Sequence, residues 1–193
     1  DGIHRLEVRA KAMPDHLHAS KARELLANLM DRECIDSPWR ETGRAALDVL
    51  IEAESRVHET HPCLRKHFHG GEPVLHEAAD IVMDIAGMAA GMQAIGATEV
   101  LFVEHVGVGS GMVEFSHGTL EVPTPATRRI LEAHDIPWLS TDAGMETATP
   151  TGAAILAGCN AVRITGEPGY ARKALAGGTR PLPPIKFMLA REH

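Results

Sequence analysis

The sequence predicts an α/β fold, a mixed β-sheet with helices packed on it, with an α+β arrangement as the alternative. Apolar residues recur at helical spacing in several segments, including residues 20–30, 37–58 and 74–92. Short runs with strand-like composition lie after them, such as residues 99–106, which contain three valines, and residues 185–190. A chain of 193 residues is long enough for one domain with a substantial core.

The composition favours a cation or a polar metabolite as the partner. Hydrophobic residues make up 44% of the chain and charged residues 23%, as in ordinary globular proteins. A formal net charge of −7, without any basic run, argues against nucleic acid. There is no transmembrane-length apolar run and no signal peptide, and the three scattered cysteines fit a reducing compartment. We therefore expect a cytoplasmic protein without membrane contact; because it begins at Asp1, we allow for a missing upstream segment.

Local signals place the first elements. Residues 4–10 alternate between polar and apolar side chains, which indicates a strand. Ser20 is the expected N-cap of the first helix, with His16 and His18 in the loop before it. These two imidazoles could bind a metal, although exposed loop histidines need no such role. A second helix is expected over residues 37–58; its outer face carries alternating charges, and we assign no chemistry to it.

Two later helices have the same start signal, a threonine followed by a proline in the first helical position. One begins at Thr124 and runs to about His134, and the other begins at Thr149 and runs through Leu156. Short strands are expected at residues 136–141, 161–165 and 185–190.

The segment from 74 to 92 carries the most unusual chemistry. If it forms one helix, His76, Glu77, Asp80 and Asp84 lie within one narrow arc, opposite an apolar face. This acidic stripe is predicted to line a cleft, and its three acids are the candidate catalytic residues. First-turn acids can simply complement the helix dipole. Asp84 lies deep in an apolar run, where a carboxylate needs a metal, a cation or a structural salt bridge.

Two histidines precede that helix. Residues 64–69 read as a short strand that places His67 and His69 on the same face. An H-x-H pair alone is a weak indicator, but nearby carboxylates make a nitrogen-and-oxygen metal site the working hypothesis. The predicted metal ligands are His67, His69, His76, Asp80 and Asp84.

Two further features suit an anionic ligand. The turn Gly109-Ser110-Gly111 lies between two predicted strands, where backbone N–H groups can hold an anion or the glycines can simply form a hairpin or bulge. It matches neither a Rossmann fingerprint nor a P-loop, because no helix follows directly. Thr149 and Thr151 open a helix whose free N–H groups suit a phosphate or carboxylate, and a plain cap explains them equally well.

Four motifs occur in a specific order: H-F-H, D-x-x-x-D-I-x-G, V-G-x-G-S-G-x-V-x-x-x-H-G-x-L-x-V-P-x-P-A-T and T-P-T-G-A-A-I-L. Together they resemble the N-terminal region of the nickel-insertion protein family, LarC. The resemblance is strongest from His67 to Leu156. It implies one LarC-like domain over residues 1–193, with a motif-rich core at about 64–160 and a C-terminal extension over 161–193.

The resemblance implies a nickel chelatase. Members of that family insert nickel, with consumption of CTP, into a pyridinium bis-thiocarboxylate mononucleotide, giving the nickel-pincer cofactor of lactate racemase. The implied substrate is thus a small phosphorylated metabolite. By hypothesis, the metal ligands named above hold nickel, while the turn at Gly109–Gly111, His117, Thr149 and Thr151 contact the substrate.

Three departures from the family pattern keep alternatives open. Here H-F-H is followed by G-G-E-P-V-L before a second His-Glu pair, His76 and Glu77, and the family's opening G-D-M segment is absent. The family also has a C-terminal domain associated with CTP that these 193 residues do not contain, so we expect a split or partial protein that needs a separate C-terminal partner chain. The chain is thus a nickel chelatase or one subunit of it, a non-catalytic metal- or nucleotide-binding module, or a metal-dependent hydrolase, with homo-oligomerisation as a further expectation.

Overall fold

The computed structural model describes residues 3–4, 16–61, 71–115, 118–177, 182 and 184–190. Most of the core in these ranges is built by helices. They are α1 (Ala19–Arg32), α2 (Trp39–Thr60), α3 (Ala78–Ala94), α4 (Pro125–Ala133) and α5 (Pro150–Gly158). Among the described residues, none of the helices is both long and apolar enough to cross a lipid bilayer.

Helix α2 lies at the centre of the fold and packs against the other four helices. Its residues Leu47, Leu50 and Val57 recur at helical spacing and are almost completely buried. Ala46 and Leu47 join a core cluster with α1 and α3, while Leu50 and Ala53 join a second cluster with α4 and α5. One amphipathic helix therefore contributes buried side chains to both core clusters.

The strands are short and form small sheets around the helices. They are β1 (Ile3–His4), β2 (His16–His18), β3 (Val74–His76), β4 (Leu101–Val103), β5 (Val106–Gly109), β6 (Met112–Phe115), β7 (Gly118–Glu121), β8 (Trp138–Ser140), β9 (Val162–Ile164), β10 (Tyr170–Ala176) and β11 (Ile185–Ala190). The parallel pairs are β1–β10, β4–β9 and β5–β8, whereas β2–β3, β6–β7 and β10–β11 are antiparallel. The predicted mixed α/β class is confirmed, with the strands of the described regions divided among several sheets.

The single helix predicted over residues 74–92 is wrong at its start. Val74–His76 forms β3, and α3 begins only at Ala78. Glu77 separates them in a left-handed backbone conformation with φ of 54°, which a continuous helix cannot contain. His76 therefore lies at the end of a strand and not on a helical stripe.

Two smaller predictions near the N-terminus are also wrong. His16 and His18 lie in β2, paired with β3, and not in a loop. The N-cap position of α1 is His18, without a side-chain capping bond, whereas Ser20 lies inside the helix and donates its backbone N–H to the carboxylate of Glu72. Pairing with a distant strand overrides the local capping signal.

The later elements follow the local signals closely. Both α4 and α5 start with proline directly after a threonine, as predicted. The expected strand over residues 99–106 is divided into β4 and β5, because Glu104 has a φ of 60°. Strand β10 had not been predicted. Most of the predicted strand at 4–10 and all of the one at 64–69 lie outside the described residues.

Candidate functional site

The predicted acidic stripe on α3 faces solvent. Glu77, Asp80 and Asp84 are all exposed, while Val82 and Ile85 on the opposite side are buried. The apolar face was predicted correctly, and Asp84 is exposed although it lies deep in an apolar run of the sequence. An uninterrupted apolar segment can still contain one exposed position per turn, and Asp84 occupies such a position.

Asp80 and Asp84 lie one helical turn apart on the exposed side of α3. Partial desolvation, followed by the charge of Asp80, raises the pKa of Asp84 above its usual value. Within the described ranges, neither carboxylate is within 4.0 Å of a lysine, arginine or histidine nitrogen. The structural salt bridge considered for Asp84 is therefore not found there, and the pair offers oxygen donors to a cation from solution.

Three of the predicted metal ligands, His76, Asp80 and Asp84, belong to the described residues. His67 and His69, like the predicted substrate contact His117, lie outside the described residues. Where the structure is described, no group of three or more histidine, cysteine or acidic side chains stands in position to hold a metal ion. The assignment of these ligands stays a prediction.

The glycine-rich turn packs against the segment that leads into α5. Gly109 has a φ of 83°, and a Cβ atom there would lie 2.0 Å from the carbonyl oxygen of Met145. Gly109 also forms a bridge with Glu146, and Thr147 donates its hydroxyl to the carbonyl of Gly107 at 2.8 Å. The glycine is therefore required by close backbone packing, which is the structural alternative to an anion cradle.

This packing places the turn against the segment that leads to a second predicted substrate element, the start of α5. Glu146, bridged to Gly109, comes only three residues before Thr149, the N-cap of α5. The Thr149 hydroxyl oxygen accepts the Gly152 N–H at 3.2 Å, which confirms the predicted cap. Thr151 is half-buried in the first turn. The turn thus packs against residues 144–146, which precede the helix start by three residues or more.

A second group of potential ligands converges from three elements. We call it the histidine cluster: His16 of β2, His76 of β3, and His58 and Glu54 of α2. The rings of His16 and His76 meet edge-on with centroids 4.4 Å apart, and those of His58 and His76 are 5.9 Å apart. Nε2 of His58 lies 3.9 Å from Oε2 of Glu54.

Glu54 is the most strongly perturbed acid of the described chain. Burial, followed by the negative charge of Glu77, raises its pKa to about 7. The sequence interpretation missed this residue and His58, because α2 was assigned no chemistry. A signal was present: Glu54 follows the buried Leu50 by four residues, and His58 follows Glu54 by four, so both lie on the buried stripe.

The chain matches the family model described as "Nickel insertion protein" over residues 2–184. A relative from Methanopyrus kandleri, named for nickel insertion, is 34% identical over 188 residues, covering 94% of this chain and 44% of the relative. One from Methanothrix thermoacetophila, named likewise, is 34% identical over 164 residues, covering 79% of this chain and 40% of the relative.

A relative from Thermotoga petrophila is named pyridinium-3,5-bisthiocarboxylic acid mononucleotide nickel insertion protein. It is 38% identical over 124 residues, covering 64% of this chain and 29% of the relative. The chain thus spans less than half the length of these curated relatives. No solved structure matches it. The match over nearly the whole sequence shows that the chain belongs to the nickel insertion protein family.

Proposed function

We propose that this chain takes part in inserting nickel into pyridinium-3,5-bisthiocarboxylic acid mononucleotide, the compound in the name of the Thermotoga relative. The product would be the nickel-pincer cofactor of lactate racemase, with CTP consumed as the resemblance implies. Nickel is the cargo of this reaction, and the dithioacid is its acceptor.

The observation that carries the proposal is the placement of donors at the start of α3. His76 ends β3, and the exposed carboxylates of Glu77, Asp80 and Asp84 follow within two helical turns. Imidazole and carboxylate groups are ligands that divalent transition metals accept. Their exposure suits a metal that must be passed on, because a cargo ion needs a route in and out.

The substrate would lie with its anionic groups toward the start of α5. The N-terminus of a helix favours negative charge, and the turn at Gly109–Gly111 is packed against the segment leading into it. We assign His117, Thr149 and Thr151 to the same contact, and His67 and His69 to the metal. These roles remain predictions.

The test uses the purified chain with the dithioacid mononucleotide, NiCl₂ and CTP, and detects the nickel-containing product by mass spectrometry. The double variant Asp80→Asn, Asp84→Asn is expected to form product at least about tenfold more slowly, since metal sites lose about that much when a supporting carboxylate is removed. Glu52→Gln, an exposed acid on α2, is the matched control and should behave as the parent protein. Equal rates in the double variant and the control would refute the assigned ligands.

A second arm addresses the length of the chain. The same reaction is run with the C-terminal region of the Thermotoga relative added as a separate polypeptide. Product that forms only in this arm would identify the chain as one subunit of a chelatase. Absence of product in both arms would refute the proposed activity for this chain.

A further inference from the structure

We propose that one apolar sheet face of this chain is the docking surface for the part of the longer family members that lies outside the matched region. We call it the outer face, and it belongs to the parallel strand pairs β4–β9 and β5–β8. This role goes beyond nickel insertion and does not depend on it. The residues of the outer face are Leu101, Val103, Leu139, Val162 and Ile164.

Strand register defines the face in the β4–β9 pair. Residues that lie opposite each other in neighbouring strands point to the same side, and successive residues alternate between the two sides. Leu101 lies opposite Val162, and the next pair on that side is Val103 with Ile164. Phe102, between the two pairs, points to the other side and packs against the core cluster of α2, α4 and α5. One side of β4–β9 therefore meets the helices, and the other carries two adjacent apolar pairs.

The β5–β8 pair has the same arrangement. Val106 lies opposite Trp138, and both pack against the same core cluster as Phe102. Leu139 is the next residue along β8 and lies opposite Gly107, so it points away from that cluster. Only two residues separate β4 from β5 along the chain. The outer sides of the two strand pairs are thus joined by a short connection.

The outer face leaves large apolar side chains in contact with solvent. Leu139 is 51% exposed and Val162 is 49% exposed, and the other three residues are partly exposed. In the part of the chain that the structure describes, none of the five belongs to a core cluster. Parallel strands in proteins are almost always covered on both faces, usually by helices. Helices cover only the inner side here, so the fold calls for a second covering layer.

The longer relatives contain chain that can supply this layer. The match to the Methanopyrus relative covers 94% of this chain and 44% of that protein, so more than half of the relative lies outside the match. Because parallel strands are usually covered by helices, the chemistry expected of the occupant is a helix with an apolar face.

The size of the outer face favours a tethered segment over a second copy of this chain. A stable complex between separate proteins buries about 800 Å² on each partner. None of the five side chains is more than 51% exposed, so together they supply only a minor part of such an area. A segment of the same polypeptide needs a smaller contact, because tethering raises its effective concentration at the surface.

The experiment measures how fast a thiol is modified on the outer face, with and without the rest of the protein. Leu139→Cys and Val162→Cys are made in this chain, and a cysteine is placed at each aligned position of the full-length Methanopyrus relative, whose match includes both. A maleimide is added to each folded protein, and mass spectrometry follows the labelling of each peptide. Labelling in guanidinium chloride gives the unprotected rate of each thiol, so that slow labelling of the folded protein reports burial.

We expect both positions to be labelled at least about tenfold more slowly in the full-length relative than in this chain, because a covered side chain reacts only when the cover opens. Met112→Cys is the matched control, since this position is 59% exposed and lies on the separate β6–β7 sheet. It should be labelled at similar rates in both proteins.

Three results would overturn the docking surface. The first is equally fast labelling of the outer face in this chain and in the full-length relative. The second is labelling of this chain that slows as its concentration rises, because a second copy would then be the cover. The third is slowing at the Met112 position as large as at the outer face, which would indicate general protection. No nickel is present in these measurements, so failure of the insertion assay would leave their outcome unchanged.

Discussion

Glu54 combines a position on the buried stripe of α2 with a negatively charged neighbour, Glu77. Together these raise its pKa from the usual 4.5 to about 7. The folded state therefore binds this proton more tightly than the unfolded state does. The resulting contribution to the free energy of unfolding is present below about pH 4.5 and is lost as the pH rises through about 7.

Glu54→Gln removes this titration, because the amide stays neutral. Without metal, we expect the variant to be close to the parent protein at pH 5 and more stable at pH 8, by on the order of 2 kcal/mol. Urea unfolding with a chelator at both pH values measures the difference. The control Glu52→Gln, on the exposed side of the same helix, should show no such dependence. A Glu54→Gln advantage that is the same at pH 5 and pH 8 would contradict the placement of this carboxyl.

The exposed acids of α3 show what residue patterns can and cannot predict. The arc that contains Asp80 and Asp84, and the apolar side with Val82 and Ile85, follow from helical periodicity. Whether that arc faces a cleft or solvent depends on which elements pack nearby. His16 meets His76 only through the register of two strands distant in sequence, which local patterns do not encode.

At the scale of elements, the contact between α2 and α5 depends on one glycine. A Cβ atom on Gly158 would lie 2.5 Å from the backbone nitrogen of Ala46 and 2.7 Å from its Cα. Backbone atoms cannot yield as a flexible side chain does, so Gly158→Ala should force the helices apart. We expect a loss of about 1–3 kcal/mol in the free energy of unfolding, measured by urea denaturation.

Gly152 on the same helix is the matched control. Among the residues that the structure describes, a Cβ atom there would meet only the Thr149 hydroxyl at 3.6 Å, an ordinary contact. Because alanine is the better helix former, Gly152→Ala should leave stability unchanged or raise it by up to about 1 kcal/mol. If both variants lose the same free energy, the close approach of α2 and α5 is not the cause.

Helices that begin at a capping residue followed by proline could be predicted from the sequence. Strands that form only by pairing with another strand could not. Thr149-Pro150 identifies the start of α5 from two adjacent residues, and the structure has the cap bond. By contrast, the sequence predicts β3 as part of α3, because the strand character of β3 comes from its pairing with β2. Strand β10 likewise depends on its pairing with β11. Pairing between segments far apart in sequence can override local propensity.

At the scale of the whole molecule, the sheets are small and some apolar side chains stay at the surface. Ile185 and Phe187 are 63% and 55% exposed, and as residues two apart they lie on the same face of β11. In the described part of the chain, β11 pairs on one side only, with β10. An edge strand with exposed apolar residues favours association with another chain.

We therefore expect Ile185→Thr, Phe187→Thr to reduce self-association, measured by sedimentation velocity over a concentration series. Threonine keeps the β propensity while removing apolar area, so the free energy of unfolding should change by less than about 0.5 kcal/mol per site. Met112→Thr, at a position 59% exposed on the separate β6–β7 sheet, controls for loss of apolar surface in general. If Met112→Thr reduces association as much as the double variant, general surface apolarity and not the β11 edge drives it. If neither changes it, the β11 edge is not an association surface, since removing its two exposed large apolar side chains has to weaken any contact that they make.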